Sequence, residues 1–374
     1  MFNILTLNKI SKNGLDRLDS ALFTCGDAIE NPDAILVRSA SMHEMELAES
    51  TVAIARAGAG VNNIPIPACS DKGVVVFNTP GANANAVKEL VICSLFLASR
   101  KVAASMDWCK TLKGEGDNVG KLVEKGKSNF AGPEILGKTL GIVGLGAIGA
   151  MVAESAKALG MDVIAYDPFA AGKTDIRLVE LDEIFANSDY ITLHAPLNDG
   201  TRGMINAESI AKMKDGVRIL NFARGELVAS KDIIDALASG KAGAYVTDFP
   251  TDEQLGAEGV TAIPHLGAST PESEENCAMM AADEVAAYLT KGEIKNSVNL
   301  PNTCLAESYA VRTCFIHKED ADAFAAKAEA AAKAAGASVT SIFTANKKDM
   351  GYTVIDTDKA FDANVEGAIR VRTI

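Results

Sequence analysis

The chain has 374 residues, 48% of them hydrophobic, enough to bury sizeable cores and more than one typical domain requires. Its formal charge of −13 argues against nucleic-acid or anionic-membrane partners, so an anionic substrate would have to be gathered by a local group of arginines. No apolar run reaches the length of a membrane span, and the seven cysteines (25, 69, 93, 109, 277, 304 and 314) show no C-x-x-C spacing. They read as reduced thiols of a cytoplasmic protein with no metal site.

The start, Met1 to Lys9, reads as a first strand and lacks the charged beginning and long apolar stretch of a signal peptide. Apolar runs at Ile4–Leu7, Ala34–Val37, Val52–Ala55 and Val74–Phe77 predict parallel strands of an α/β unit, closed by turns such as Arg56 to Gly60 and Asn78 to Gly81. A long helix is predicted from about Ala84 to Lys101, with Val87, Leu90, Val91, Ser94, Leu95 and Ala98 on one face. The charged, Gly-rich stretch Lys113–Ser128 reads as a separator.

Beyond it lies the most telling pattern. The run Leu140 to Val143 feeds into Gly144-Leu145-Gly146-Ala147-Ile148-Gly149, a helix is predicted over Met151–Leu159, and a strand over Asp162–Tyr166 ends at Asp167. Gly144 suits a tight strand-to-helix turn, Gly146 a backbone close to a pyrophosphate, and Gly149 close helix packing. Ala147 and Ile148 offer backbone N–H groups at the helix start. An acid about 20 residues on accepts from ribose hydroxyls. Asp167 therefore favours NAD, since a 2′-phosphate would be repelled there.

Further strands are predicted at Tyr190–His194, Val217–Phe222 and Ala244–Thr247, and a helix at Glu272–Leu289 ending near Gly292. After Pro301 a separate pattern follows: strand Ala310–Ile316, helix Asp320–Ala335, then strands Ser338–Thr344, Gly351–Asp356 and Ala368–Thr373.

Six segments carry a likeness in order over roughly residues 35 to 270: Val37-Arg38-Ser39, Arg56 to Val61, Phe77-Asn78-Thr79-Pro80, Gly137 to Gly149, Asn221-Phe222-Ala223-Arg224-Gly225 and Pro264 to Thr270. On these residues the chain resembles the D-isomer-specific 2-hydroxyacid dehydrogenases. The resemblance implies an α/β fold of two Rossmann-like doubly wound domains, the cofactor domain inserted into the catalytic one, plus a small α+β tail. The corresponding domains are 1–97 with 284–300 for substrate, 98–283 for NAD, and 301–374 for the tail.

Oxidising a 2-hydroxy acid needs a base for the hydroxyl proton and a cation to hold the carboxylate. The resemblance assigns these roles to His265 and to Arg224 with its bidentate fork. A carboxylate bonded to His265 would orient the ring. Here the usual acid-acid-proline run is replaced by Asp248-Phe249-Pro250-Thr251-Asp252-Glu253-Gln254. Glu253 is chosen for its type and its offset from Arg224, with Asp252 as rival.

The resemblance also places His194, Ala195 and Pro196 along the adenine and ribose, and Phe222, Ala223, Arg224, His265, Gly267 and Ala268 around the nicotinamide. Asp248 stands near the strand-end acid for the carboxamide, with Thr247 in the usual place. For a phosphorylated 2-hydroxy acid the candidates are Arg38, Ser39, Arg56, Ala57, Gly58, Ala59, Gly60 and Asn83. Lys121, Lys125 and Lys127 read as a solvated basic face. A homodimer or homotetramer is implied.

The tail resembles the regulatory ACT domain of such enzymes through Cys314 to His317, Met350 to Asp356 and Val365 to Arg372. Its loop His317-Lys318-Glu319-Asp320 lacks the turn associated with serine binding, so assembly is expected rather than serine sensing. Two other functions remain open: a reductase of glyoxylate, hydroxypyruvate or lactate, and a nucleotide-sensing binding protein like the C-terminal-binding corepressors.

Overall fold

The N-terminal apolar runs build a parallel sheet of β1 (Phe2–Leu7), β2 (Phe23–Gly26), β3 (Ala34–Val37), β4 (Ala53–Arg56) and β5 (Val75–Asn78), in the order β2-β1-β3-β4-β5. Such strands bury both faces, which is why they read as continuous apolar runs. Ile4, Leu36, Ala55 and Phe77 line one face with Ala278, Ala282, Val285 and Tyr288 of the helix Pro271–Lys291. Leu5, Ile35, Val37, Ile54 and Val76 line the other.

The computed structural model describes residues 1–172 and 174–374. They separate into two compact units, 1–83 with 271–374 and 84–270. The divisions fall before the helix Ala84–Arg100 and before the helix Pro271–Lys291, so each helix stays whole within one unit. The boundaries read from the sequence, 97/98 and 283/284, would cut through both.

The second unit holds seven parallel strands: β6 (Thr139–Val143), β7 (Asp162–Tyr166), β8 (Arg177–Leu178), β9 (Tyr190–Leu193), β10 (Val217–Asn221), β11 (Ala242–Thr247) and β12 (Val260–Ala262). Their order, β12-β11-β10-β9-β6-β7-β8, reverses direction between β6 and β9. Open α/β sheets bind ligands at the carboxyl ends of the strands beside such a switch. The stretch Lys113–Ser128 is largely helical rather than a plain separator, forming 3₁₀ turns around the helix Val119–Gly126. Val119, Leu122 and Val123 give it an apolar stripe amid the lysines and glycines that suggested a loop.

The tail folds as β13 (Val311–His317), the helix Ala321–Ala334, β14 (Val339–Lys347), β15 (Met350–Thr357) and β16 (Ala368–Thr373). This sheet is antiparallel, ordered β14-β15-β13-β16. Cys314, Ile316, Met350, Tyr352 and Val354 share one apolar core with Ile4, Phe77 and Tyr288. A buried ion pair, Arg312 Nε to Asp356 at 2.7 Å, ties β13 to β15. Among the described residues no helix is long and apolar enough to cross a membrane.

Glu284 is buried on the helix Pro271–Lys291, accepting from the Asn296 side chain at 2.7 Å while its Oε2 has no hydrogen-bond partner among the described residues. Burial pushes its carboxyl up to about 8. The folded state therefore binds a proton that the unfolded state releases near its ordinary value, so stability falls as pH rises from about 4.5 through 8. We expect Glu284→Gln to melt higher than wild type at pH 9 and nearly level with it at pH 5. Equal melting curves at both pH values would show that this carboxyl titrates normally.

Candidate active site

β6 ends at Val143 and the chain turns at Gly144, whose φ of +96° lies in the left-handed region that most side chains avoid. A Cβ there would also stand 2.7 Å from the His194 carbonyl. Gly149 lies so close to the Gly144 carbonyl that no side chain fits between them, and the helix Ala147–Ala158 starts directly on the turn. Gly146 instead faces open space. The N–H groups of Ala147 and Ile148, in the first turn, have no intrahelical acceptor and form an anion-binding end.

Asp167 follows β7, and its carboxylate oxygens accept from the backbone N–H groups of Leu145 and Phe169, each at 2.8 Å. The acid is thereby fixed beside the glycine turn. A cavity of about 740 Å³ opens there, lined among others by Gly146, Glu154, Asp167, Phe169 and Asp175. Its acidic lining suits a ribose diol and disfavours a phosphate. On the other side of the switch, β9 delivers His194, Ala195 and Pro196. The His194 N–H donates to the Val143 carbonyl at 2.7 Å, and its Nε2 stands 3.0 Å from the Thr192 hydroxyl. Burial pulls the imidazole down to about 4, so it is neutral at physiological pH.

β10 ends at the buried Asn221. Its side-chain N–H donates to the Arg224 carbonyl at 2.9 Å and its oxygen accepts from the Ala223 N–H at 3.2 Å, which shapes the turn from Phe222 to Arg224. The exposed Arg224 guanidinium lies 5.9 Å from the ring centre of Phe249, and the exposed His265 ring packs on that same Phe249 at 4.4 Å. Phe249 thus links the two polar candidates. Nothing in the sequence singled it out as a site residue.

A bulge explains the register at the next strand end. Val217 faces Ala242 and Arg218 faces Ala244, so Gly243 is an extra residue in β11. Thr247 then ends the strand, with its hydroxyl accepting from the Phe249 N–H at 3.0 Å, and Asp248 becomes the strand-end acid. Asp248 is buried. Its Oδ2 accepts from the Gly267 N–H at 3.2 Å, while its Oδ1 has no hydrogen-bond partner among the described residues. Burial pushes this carboxyl up, opposed by the Gly267 N–H and by the charges of His265 and Arg224. An orphaned carboxylate oxygen is an acceptor for a carboxamide N–H. Together with the open Gly146 backbone and the acidic cavity beside Asp167, it fits a nicotinamide dinucleotide.

Glu253 sits exposed on the 3₁₀ turn Asp252–Gln254, where its charge acts on Lys231. Asp252 is exposed beside it. Among the described residues, no hydrogen bond joins either acid to His265; Asp248 is the carboxylate that interacts with it electrostatically.

The remaining candidates belong to the other unit. Arg38 follows β3 and forms an ion pair with Glu274, and the Ser39 N–H donates to the Asn8 side chain at 3.1 Å. Arg56 ends β4, and its Nε donates to the Arg38 carbonyl at 3.0 Å. The loop Ala57 to Gly60 is held by Ala57 N–H to the Val37 carbonyl at 2.8 Å and by the Asn78 side chain to the Ala59 carbonyl at 2.6 Å. Asn83 is half-buried just before the helix Ala84–Arg100. Lys121, Lys125 and Lys127 are exposed, and Lys127 pairs with Glu124. Among the described residues, no cluster of His, Cys, Asp or Glu could hold a metal ion.

The profile of the D-isomer specific 2-hydroxyacid dehydrogenase, NAD binding domain, matches residues 93–267. A hydroxypyruvate reductase of Thermotoga maritima is 40% identical over 271 residues, 69% of this chain and 85% of that protein. A D-3-phosphoglycerate dehydrogenase of Archaeoglobus fulgidus is 36% identical over 284 residues, 72% of this chain; the chain spans only 52% of that relative's length. The structure of NAD+-bound 3-phosphoglycerate dehydrogenase from Entamoeba histolytica superposes with a TM-score of 0.62 at 29% identity, covering 80% of this chain and 98% of that one.

Proposed function

The chain belongs to the D-isomer-specific 2-hydroxyacid dehydrogenase family, and from that premise we propose that it oxidises D-3-phosphoglycerate to 3-phosphohydroxypyruvate with NAD. The observation that carries this reading is the pair Arg38 and Arg56, tied together at the ends of adjacent strands in an otherwise acidic protein. Two neighbouring guanidinium groups are the donors a phosphate takes. Similarity to several D-3-phosphoglycerate dehydrogenases supports it.

In this mechanism Arg224 grips the substrate carboxylate through its fork, aligning C2. His265 takes the hydroxyl proton on an imidazole nitrogen as the hydride leaves C2. The nicotinamide would supply the hydride acceptor when bound; Asp248 would hold its carboxamide and Asp167 the adenosine ribose. Phe249 packs against both the Arg224 and His265 side chains and keeps them in place.

Glu253 is proposed as the acid that orients His265 in the loaded enzyme, and the charge interaction seen here favours Asp248 as the alternative. The replacement that removes the relevant charge should move the oxidative pH–rate profile to lower pH, because an imidazole without an anionic neighbour gives up its proton more readily. A shift for Asp248→Asn with Glu253→Gln silent assigns the role to Asp248, and the reverse to Glu253.

The test of the overall reading is NADH formation from a panel of 2-hydroxy acids at alkaline pH. D-3-phosphoglycerate should be the preferred substrate, and Arg38→Ala should raise its KM about tenfold or more, the loss expected for a charge-assisted hydrogen bond. The Thermotoga relative supports a second reading, reduction of unphosphorylated hydroxypyruvate. Under that reading Arg38→Ala would leave KM unchanged.

We also propose that residues 301–374 are an ACT-like module. The order β14-β15-β13-β16 is that of a βαββαβ sheet, with no helix in the returning segment 358–367. A homodimer or homotetramer is proposed in turn, supported by the exposed apolar Phe96, Leu136 and Leu159 around one shallow depression.

A further inference from the structure

We propose that Glu274 is a built-in competitor for the anion site of Arg38 and Arg56, and that it sets the threshold an incoming phosphate must exceed. The proposal rests on the reading that these two arginines take the substrate's phosphate.

Val37 and Arg56 face each other in the parallel register of β3 and β4, so Arg38 and Arg56 emerge at the same end of the sheet. The Arg56 Nε is held on the Arg38 carbonyl at 3.0 Å. The backbone at Gly58 lies over the Arg56 guanidinium closely enough to exclude a side chain. Against this group stands the first turn of the helix Pro271–Lys291. Glu274 reaches across it to an Arg38 terminal nitrogen, and Cys277, almost one turn further, is near enough to feel the charges of both arginines.

A glutamate carboxylate offers guanidinium the same planar oxygen acceptors that a phosphate offers. With Glu274 in place, the three charged side chains carry a net single positive charge. With it displaced, an anion meets two. Both partners of the Arg38–Glu274 pair are 41% exposed, so solvent and ligand reach them, and ion pairs so exposed are weak enough to open. The pair therefore yields to a phosphate dianion that engages both arginines and resists anions that engage only one. An acid without a phosphate leaves it closed. Glu274 thus raises the threshold for any anion at these arginines, phosphorylated substrate and inorganic phosphate alike.

The experiment compares Glu274→Gln, Glu274→Asp and Arg38→Ala in steady-state assays. D-3-phosphoglycerate and an unphosphorylated 2-hydroxy acid serve as substrates, and inorganic phosphate as competing inhibitor. Glu274→Gln should lower KM for the phosphorylated acid about two- to fivefold, the range an exposed ion pair allows. It should tighten phosphate inhibition similarly and leave kcat and the unphosphorylated KM unchanged. Glu274→Asp, which keeps the charge, should return toward wild type. Glu274→Ala carries the same expectation as Glu274→Gln if the latter folds poorly. An unchanged or raised KM in Glu274→Gln, with Arg38→Ala still raising it, overturns the competitor role alone. If Arg38→Ala has no effect on the phosphorylated substrate, the underlying reading fails instead.

Discussion

Replacing His265 by alanine should lower kcat by about a hundredfold or more, the usual loss when a positioned acid–base group is removed. NADH binding should survive. The ring is exposed and packs on Phe249 at 4.4 Å, while the dinucleotide fingerprint is built by the separate turn at Gly144 to Gly149. Stopped-flow turnover and fluorescence titration with NADH measure the two effects independently. A variant that keeps its kcat would place proton transfer on another group.

The second large effect concerns Asp167. Its alanine variant should lose roughly ten- to hundredfold in kcat/KM with NAD, as charge-assisted hydrogen bonds to the ribose disappear. Activity with NADP should fall less or rise, because the carboxylate that repels a 2′-phosphate has also gone. Asp167 also accepts from Leu145 and Phe169, so some loss will come from a loosened turn. The ratio of the two cofactors isolates the charge effect, since loosening penalises both alike. A comparable kcat/KM for NADP in the wild-type enzyme would contradict the assignment.

Much of this architecture is written in local pattern. Ala34–Val37 and Asp162–Tyr166 were legible to the residue because β-branched and apolar runs are cut off sharply by polar or turn-forming neighbours. Phe23–Gly26 escaped notice because its Thr-Cys-Gly end lacks that contrast. Val119–Gly126 was hidden by lysines and glycines that resemble a linker. At the site, the glycine turn and Arg224 with His265 announce themselves by spacing and by likeness. Asp248 does not. Its place at the strand end depends on the extra residue Gly243, and its orphaned oxygen on burial by distant segments. Phe249 likewise gains its role only from where the ring lands. Partner choice among carboxylates is a tertiary property, so the offset from Arg224 that selected Glu253 carries no information about which acid lies near His265.

The apolar core shared by β1, β5 and the antiparallel tail has a consequence for the order in which this protein can be made. Residues 84–270 are continuous and contain every strand of their own sheet, so they can complete their folding while the ribosome is still at work. The first five strands cannot, because Ile4 and Phe77 wait for Tyr288, Ile316 and Tyr352, which are synthesised hundreds of residues later. Closing so long a loop is a slow step, dominated by non-local contacts. The earliest-made segment is therefore among the last to become protease-resistant, and its exposed β-rich edge is where a nascent chain most needs a chaperone.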